Sequence, residues 1–130
     1  FCGDTLFGAG CGRLLGGRPE QLYASLKQLA QLPAKTLIYS AHEYTLGNLR
    51  FAQVVEPDNP AITERQALCE KLRQKGSPSL PSTLSEELRT NPFLRVSNPG
   101  IRKACEARSG SPLETDETVF KVLRSWKDQF

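Results

Sequence analysis

The strongest constraint in this sequence is a change of hydrophobic period near residue 43. Beyond it a 3.6-residue period continues to the end of the chain, whereas before it short apolar runs alternate with glycine clusters. Phe1-Cys2-Gly3-Asp4 reads as the end of a strand entering a loop, Gly8-Ala9-Gly10-Cys11-Gly12, which Gly16 and Gly17 prolong. Pro19 suits the first turn of a helix, and Leu22, Leu26 and Leu29 repeat at helical spacing until Leu32-Pro33 stops them. Thr36-Leu37-Ile38-Tyr39-Ser40 has the β-branched and aromatic content of a short buried strand. Strand, loop, helix, strand is a βαβ layer, in which ligands collect beyond the carboxyl ends of the strands. Asp4 and His42 both occupy such ends.

After Tyr44 every segment reads as helix. Leu46, Leu49, Ala52 and Val55 form one stripe, stopped by Pro57. Asn59-Pro60 starts a helix that runs to Gly76, and Thr83 with Glu86 reads as a capping box for a short one ending near Arg89. Asn98-Pro99 starts another, which stops by Ser109-Gly110. Thr115 caps the last, with Val119, Val122, Leu123, Trp126 and Phe130 along one face. The expected fold is therefore an α/β portion over residues 1–43 followed by an all-α portion of about five helices over residues 44–130.

Bulk properties narrow the function. No apolar run approaches the roughly 18 residues that span a bilayer, so no membrane role is expected. The net charge is +3, with the 17 basic residues spread along the chain and not interleaved with aromatics. That argues against nucleic acid and suits a small anionic substrate. The four cysteines, Cys2, Cys11, Cys69 and Cys105, form no C-x-x-C pair, so free thiols in a reducing cytoplasm are expected, a disulfide being the other reading. The sequence holds no methionine and opens on Phe1, which points to a chain that starts within a longer one.

Two residues invite metal chemistry. His42 is the single histidine, and Asp4 follows a glycine at a strand end. Each alone is ordinary. A zinc site needs three or four nitrogen, sulfur or carboxylate donors, and Asp4 and His42 with Cys2 or Cys11 match no common spacing.

Taken together, the motifs say more. Gly3-Asp4-Thr5-Leu6-Phe7, Ala9-Gly10-Cys11-Gly12-Arg13, and Ala41-His42-Glu43-Tyr44-Thr45 with Asn48-Leu49 resemble glyoxalase II (hydroxyacylglutathione hydrolase) of the metallo-β-lactamase superfamily. So do Val55-Glu56-Pro57 with Asn59, Pro81-Ser82-Thr83-Leu84, Asn91-Pro92-Phe93-Leu94-Arg95 and Lys127-Asp128-Gln129-Phe130. The resemblance implies that residues 1–43 are the last part of an αββα metallo-β-lactamase domain and that residues 44–130 are a helical glutathione-binding domain. It also implies two divalent metals, zinc as the usual pair with iron or manganese as alternatives. Asp4 matches the carboxylate bridging the two metals, and is in that sense catalytic, while His42 matches a terminal ligand. The remaining ligands belong to a T-H-x-H-x-D-H motif that these residues do not contain. The implied reaction is hydrolysis of S-D-lactoylglutathione to D-lactate and glutathione by a metal-bridged hydroxide, part of methylglyoxal detoxification, in a monomeric cytoplasmic enzyme.

For substrate binding the resemblance implies Arg13 and Tyr44 near the tripeptide, and Arg124 with Lys127 on its glycine carboxylate. Their i, i+3 spacing places the last two on one side of a helix. One position departs from the pattern: some members have a contacting tyrosine where this chain has Leu15, so that contact is lost or supplied elsewhere. Two rival readings are a non-catalytic helical interaction module and a sibling hydrolase or persulfide dioxygenase. The tail ending in Arg124 and Lys127 argues against the sibling. With only Asp4 and His42 present, the 130-residue chain by itself is expected to hold no tight metal and to be inactive. Metal analysis after extensive dialysis checks this; two equivalents per chain, or thioester turnover, would contradict it.

Overall fold

The computed structural model describes residues 6–7, 9–11, 19–38, 44–78 and 81–130. Six α-helices and two small antiparallel strand pairs account for their regular structure. Strands β1 (Leu6–Phe7) and β2 (Gly10–Cys11) form a hairpin, with Leu6 opposite Cys11 and Phe7 opposite Gly10. Helix α1 (Pro19–Ala30) begins on its proline, and β3 (Leu37–Ile38) follows.

Five helices then succeed one another, and local chemistry sets most of their ends. Helix α2 (Thr45–Val55) stops before Pro57. Helix α3 (Pro60–Gln74) starts where the Asn59 side chain accepts from Ala61 N, and gives way to Gly76 in the left-handed region at φ 73°. Strand β4 (Ser82–Thr83) leads into α4 (Leu84–Thr90), which the Thr83 hydroxyl caps by accepting from Glu86 N at 3.1 Å. Asn91 then caps a single 3-10 turn, Pro92–Leu94. Helix α5 (Pro99–Ser109) is capped by Asn98 and closed by Gly110 at φ 74°. Helix α6 (Asp116–Asp128) carries a capping box in which Thr115 and Thr118 exchange bonds.

The helical boundaries follow the expected ones closely, but the first 43 residues differ. The stretch expected as a glycine loop contains the β1–β2 hairpin. Strand β3 does not enter a parallel pairing among the described residues; it runs antiparallel to β4, with Leu37 opposite Thr83 and Ile38 opposite Ser82. The carbonyls of Thr36 and Ala34 also accept from Leu84 N (2.8 Å) and Ser85 N (2.9 Å). These are donors of the first turn of α4, which has no partners for them within the helix. The expected strand end at residues 1–4 lies outside the described residues.

Helix α2 occupies the middle of the structure. The expected stripe predicted one buried face, and Leu49, Ala52 and Val55 are indeed buried, but so is Phe51. Phe51 and Val55 join the larger core with Leu6, Cys11, Leu26, Ile38, Phe93, Phe120 and Leu123. Leu49 and Ala52 join a smaller one with Ala9, Ile62 and Cys69. A helix apolar on two sides has a neighbour on each. On α6 the buried face is Val119, Phe120, Leu123 and Arg124, while Val122 and Trp126 are partly covered and Phe130 is 59% exposed. The stripe lies one residue away from the expected one at Phe120 and Arg124.

Phe93 links two parts of an aromatic cluster, 5.8 Å from Phe120 edge-on and 6.2 Å from Phe51 in a stacked arrangement. Phe51 in turn meets Trp126 at 5.5 Å. Phe93→Ala should therefore lower unfolding free energy by about 3–5 kcal/mol, through lost transfer energy and the cavity left behind. Urea denaturation of the full-length protein measures this, and a loss below about 1 kcal/mol would contradict the packing.

Candidate functional site

The hairpin β1–β2 lies between two candidate residues, with Asp4 just before it and Arg13 just after. What holds it in place is a set of side chains from the helical part. Glu87 of α4 is fully buried and receives four donors. Ala9 N (2.9 Å) and Asn91 Nδ2 (3.1 Å) donate to Oε1, while the Arg65 guanidinium (2.7 Å) and the Ser82 hydroxyl (2.6 Å) donate to Oε2. Arg65 of α3 is 4% exposed and also donates to the Thr90 hydroxyl at 2.8 Å. Burial disfavours the Arg65 cation, but the charge and hydrogen bond of Glu87 outweigh it and hold its pKa above the ordinary value. A buried pair of this kind is costly to break, about 3–5 kcal/mol when one partner is removed.

Each carbonyl of β2 has its own donor. Asn91 Nδ2 donates to Gly10 O at 3.0 Å, and Arg124 of α6 donates to Cys11 O at 2.9 Å. Gly10 also lies so close to α2 that a Cβ there would meet Asn48 Nδ2 at 2.6 Å and Cγ at 2.7 Å. Only glycine permits that approach.

Two of the expected substrate contacts are on α6. Arg124, expected on the glycine carboxylate, is 3% exposed. Its guanidinium donates to Cys11 O and to Asp128 Oδ1 (2.7 Å) and lies 5.2 Å from the Phe93 ring centre. Lys127 is half-buried, its ammonium 5.8 Å from the Phe51 ring centre and 6.0 Å from that of Phe130. Tyr44, at the N-terminal end of α2, is 53% exposed and one turn from the Asn48 that abuts Gly10. The structure thus brings Arg124 onto β2, places Lys127 beside Phe51 and sets Tyr44 at the head of the helix against which β2 packs. Asp4, His42, Arg13, Cys2 and Leu15 lie outside the described residues. Among the described residues no three His, Cys, Asp or Glu side chains gather as a metal site. No described helix is long and apolar enough to cross a membrane.

Sequence reasoning passed over Glu87, Arg65 and Asn91, although a signal was present. Leu84, Glu87, Leu88 and Asn91 follow i, i+3, i+4, i+7, which puts Glu87 on the core face of α4. Ile62, Arg65 and Cys69 do the same for α3, and all three are buried. A charged residue on an apolar stripe marks a buried partner elsewhere in the chain.

Comparison with known proteins fits this arrangement into a family. The sequence profile described as hydroxyacylglutathione hydrolase C-terminus matches residues 43–130. The chain belongs to this family. A protein named hydroxyacylglutathione hydrolase from Pseudomonas aeruginosa (strain LESB58) is 58% identical over all 130 residues, which make up 50% of its length. Proteins of the same name from Aeromonas hydrophila and Hahella chejuensis are 58% and 51% identical over the whole chain, which is 51% of each. The chain spans about half the length of the curated relatives it matches.

Within this hydroxyacylglutathione hydrolase segment, Cys11, Cys69 and Cys105 are buried thiols outside any disulfide. Burial pushes the Cys11 thiol from 9.0 up to about 12, the neighbouring Arg124 pulling the other way without prevailing. Burial pushes Cys105 up to about 11. A thiol whose folded pKa is raised keeps its proton in the folded state while the unfolded chain loses it, so stability falls as pH rises above 9. At pH 10 each of the two thiols should cost about 1.4 kcal/mol relative to pH 8. Urea unfolding at both pH values, with Cys105→Ala alongside, measures this. The variant should lose less stability on going to pH 10 than the native protein does, and equal losses would contradict the assignment.

Proposed function

We propose that the protein to which this chain belongs hydrolyses S-(2-hydroxyacyl)glutathione, S-D-lactoylglutathione in particular, to a 2-hydroxy acid and glutathione. The observation that carries this is the 58% identity, over every one of the 130 residues, to proteins named for that reaction. In this reading residues 1–43 complete a metallo-β-lactamase αββα layer and residues 44–130 form the helical glutathione-binding part. The enzyme acts as a cytoplasmic monomer on a small-molecule substrate.

Asp4 and His42 would hold two divalent metals, zinc in preference to iron or manganese, together with ligands from outside this chain. A carboxylate and a neutral imidazole are the donor types that such metals take, and the carboxylate can bridge. The bound metals supply a lowered water pKa and Lewis acidity. Water adds to the thioester carbonyl, the carbon–sulfur bond breaks, and glutathione leaves as a thiolate that is later protonated.

The described residues bear on binding. Glutathione carries two carboxylates, and Arg13, Tyr44, Arg124 and Lys127 are the groups proposed around it. Of Arg124 and Lys127, Lys127 is the more exposed and suits direct contact with the glycine carboxylate. Arg124, committed to Cys11 O and Asp128, contributes by fixing β2 as well as by its charge.

The metal assignment is tested on the full-length protein. Asp4→Ala should lose one or both metals and abolish turnover, and His42→Ala should weaken one metal more than the other. Normal metal content and full activity in the Asp4 variant would sink the assignment. Lys127→Ala should leave kcat near native and raise KM for the glutathione thioester about ten- to a hundredfold, the worth of one charge-assisted contact. The rise should shrink for a thioester lacking the glycine residue. An unchanged KM would remove Lys127 from the substrate site.

A further inference from the structure

We propose that Glu87, anchored by Arg65, is a positioning residue for substrate binding, acting through the turn at residues 9–10. This rests on the glutathione-thioester hydrolysis proposed above.

The turn needs holding. Ala9 has φ 59°, in the left-handed region that residues with a Cβ rarely adopt. Its N–H donates to Glu87 Oε1. The same oxygen receives one proton of the Asn91 amide, and this orients Asn91 to donate to Gly10 O while its own Oδ1 accepts from Phe93 N. Glu87 therefore controls two adjacent backbone groups, one directly and one through Asn91. Cys11 follows at once, and Arg13 is two residues further along the sequence, so loosening the turn at residues 9–10 would be felt by the stretch of chain that carries Arg13.

Four donors meet two oxygens, and an ionised carboxylate accepts at both. Glu87→Gln substitutes an NH2 for one of them. Turned toward Arg65, that NH2 would confront a cation with no acceptor to offer. Turned toward Ala9 and Asn91, it faces two neutral donors. The second orientation costs less, so the substitution keeps the Arg65 contact and releases the turn.

The experiment uses full-length, metal-loaded protein and a glutathione thioester. Glu87→Gln should raise KM about tenfold or more, the order expected for loss of one substrate contact, with kcat within about threefold. Metal content should equal that of the native protein. A role in folding alone would instead lower apparent kcat with the folded fraction and leave KM in place. In an Arg13→Ala background, Glu87→Gln should add less than about twofold to KM, because the two changes remove the same contact. Amide exchange supplies a readout independent of activity: Ala9 should lose protection while α5 and α6 keep theirs.

A folded Glu87→Gln protein with native KM overturns the proposal, and so does a KM rise fully additive with Arg13→Ala. If the native protein fails to hydrolyse the thioester, the functional reading falls. Ala9 exchange then decides whether Glu87 holds the turn, native protection in the variant refuting it. Should Glu87→Gln fail to fold, Arg65→Met with Glu87→Met removes both charges together and leaves Ala9 N–H without its acceptor. The same KM rise and loss of protection are expected there, and their absence is equally decisive.

Discussion

The bonds that tie the hairpin turn to α3, β4 and α4 converge on one carboxylate. Glu87 has no contact with solvent, and its two oxygens are shared among α3, β4, the end of α4 and the hairpin turn. An apolar side chain at that place would pack, but it would leave Ala9 N–H without its acceptor and the Arg65 guanidinium without its buried carboxylate. Each such orphan costs about 1–3 kcal/mol, more for the charged group. The buried Arg65–Glu87 pair is thus worth less as a net attraction than as a specification. Only one placement of α3, α4 and the hairpin satisfies all four donors at once.

Arg124 repeats the device at the other end of β2. Its guanidinium sits against the Phe93 ring and closes on Cys11 O, so the aromatic cluster and the hairpin share a residue. The fold has in effect two clamps on one short strand, one anionic and one cationic, with Asn48 pressed against Gly10 between them. The local chain is two residues long and makes few bonds of its own. Its geometry comes from side chains tens of residues away in sequence.

That division explains what could be read from the sequence. The helices were legible because their ends are local chemistry: Asn59, Thr83, Asn98 and Thr115 each bond a backbone N–H two or three residues on. Pro60, Pro99, Gly76 and Gly110 are equally local signals. The hairpin and the β3–β4 pairing were not legible, since two-residue strands carry no period and their partners are set by tertiary contacts. The motif singled out Arg124 and Lys127, but it could not say that one is buried and the other half-covered. Glu87 and Arg65 showed only as charges on apolar stripes, a pattern that becomes informative once each is seen to need a partner.

The hydrogen bonds from Leu84 and Ser85 to the carbonyls of residues 36 and 34 have a consequence for exchange of parts between relatives. A chimera joined at residue 44 would take α4 from one parent and its N-terminal acceptors from another. Because those acceptors are main-chain carbonyls, any sequence that keeps the backbone path serves equally well, and side-chain divergence there is harmless. The Ala9 and Gly10 contacts have the opposite character, since they rely on particular side chains at 87 and 91. Grafts across this seam would therefore tolerate free variation at 34 and 36 but would have to carry Glu87 and Asn91 together with the turn they hold.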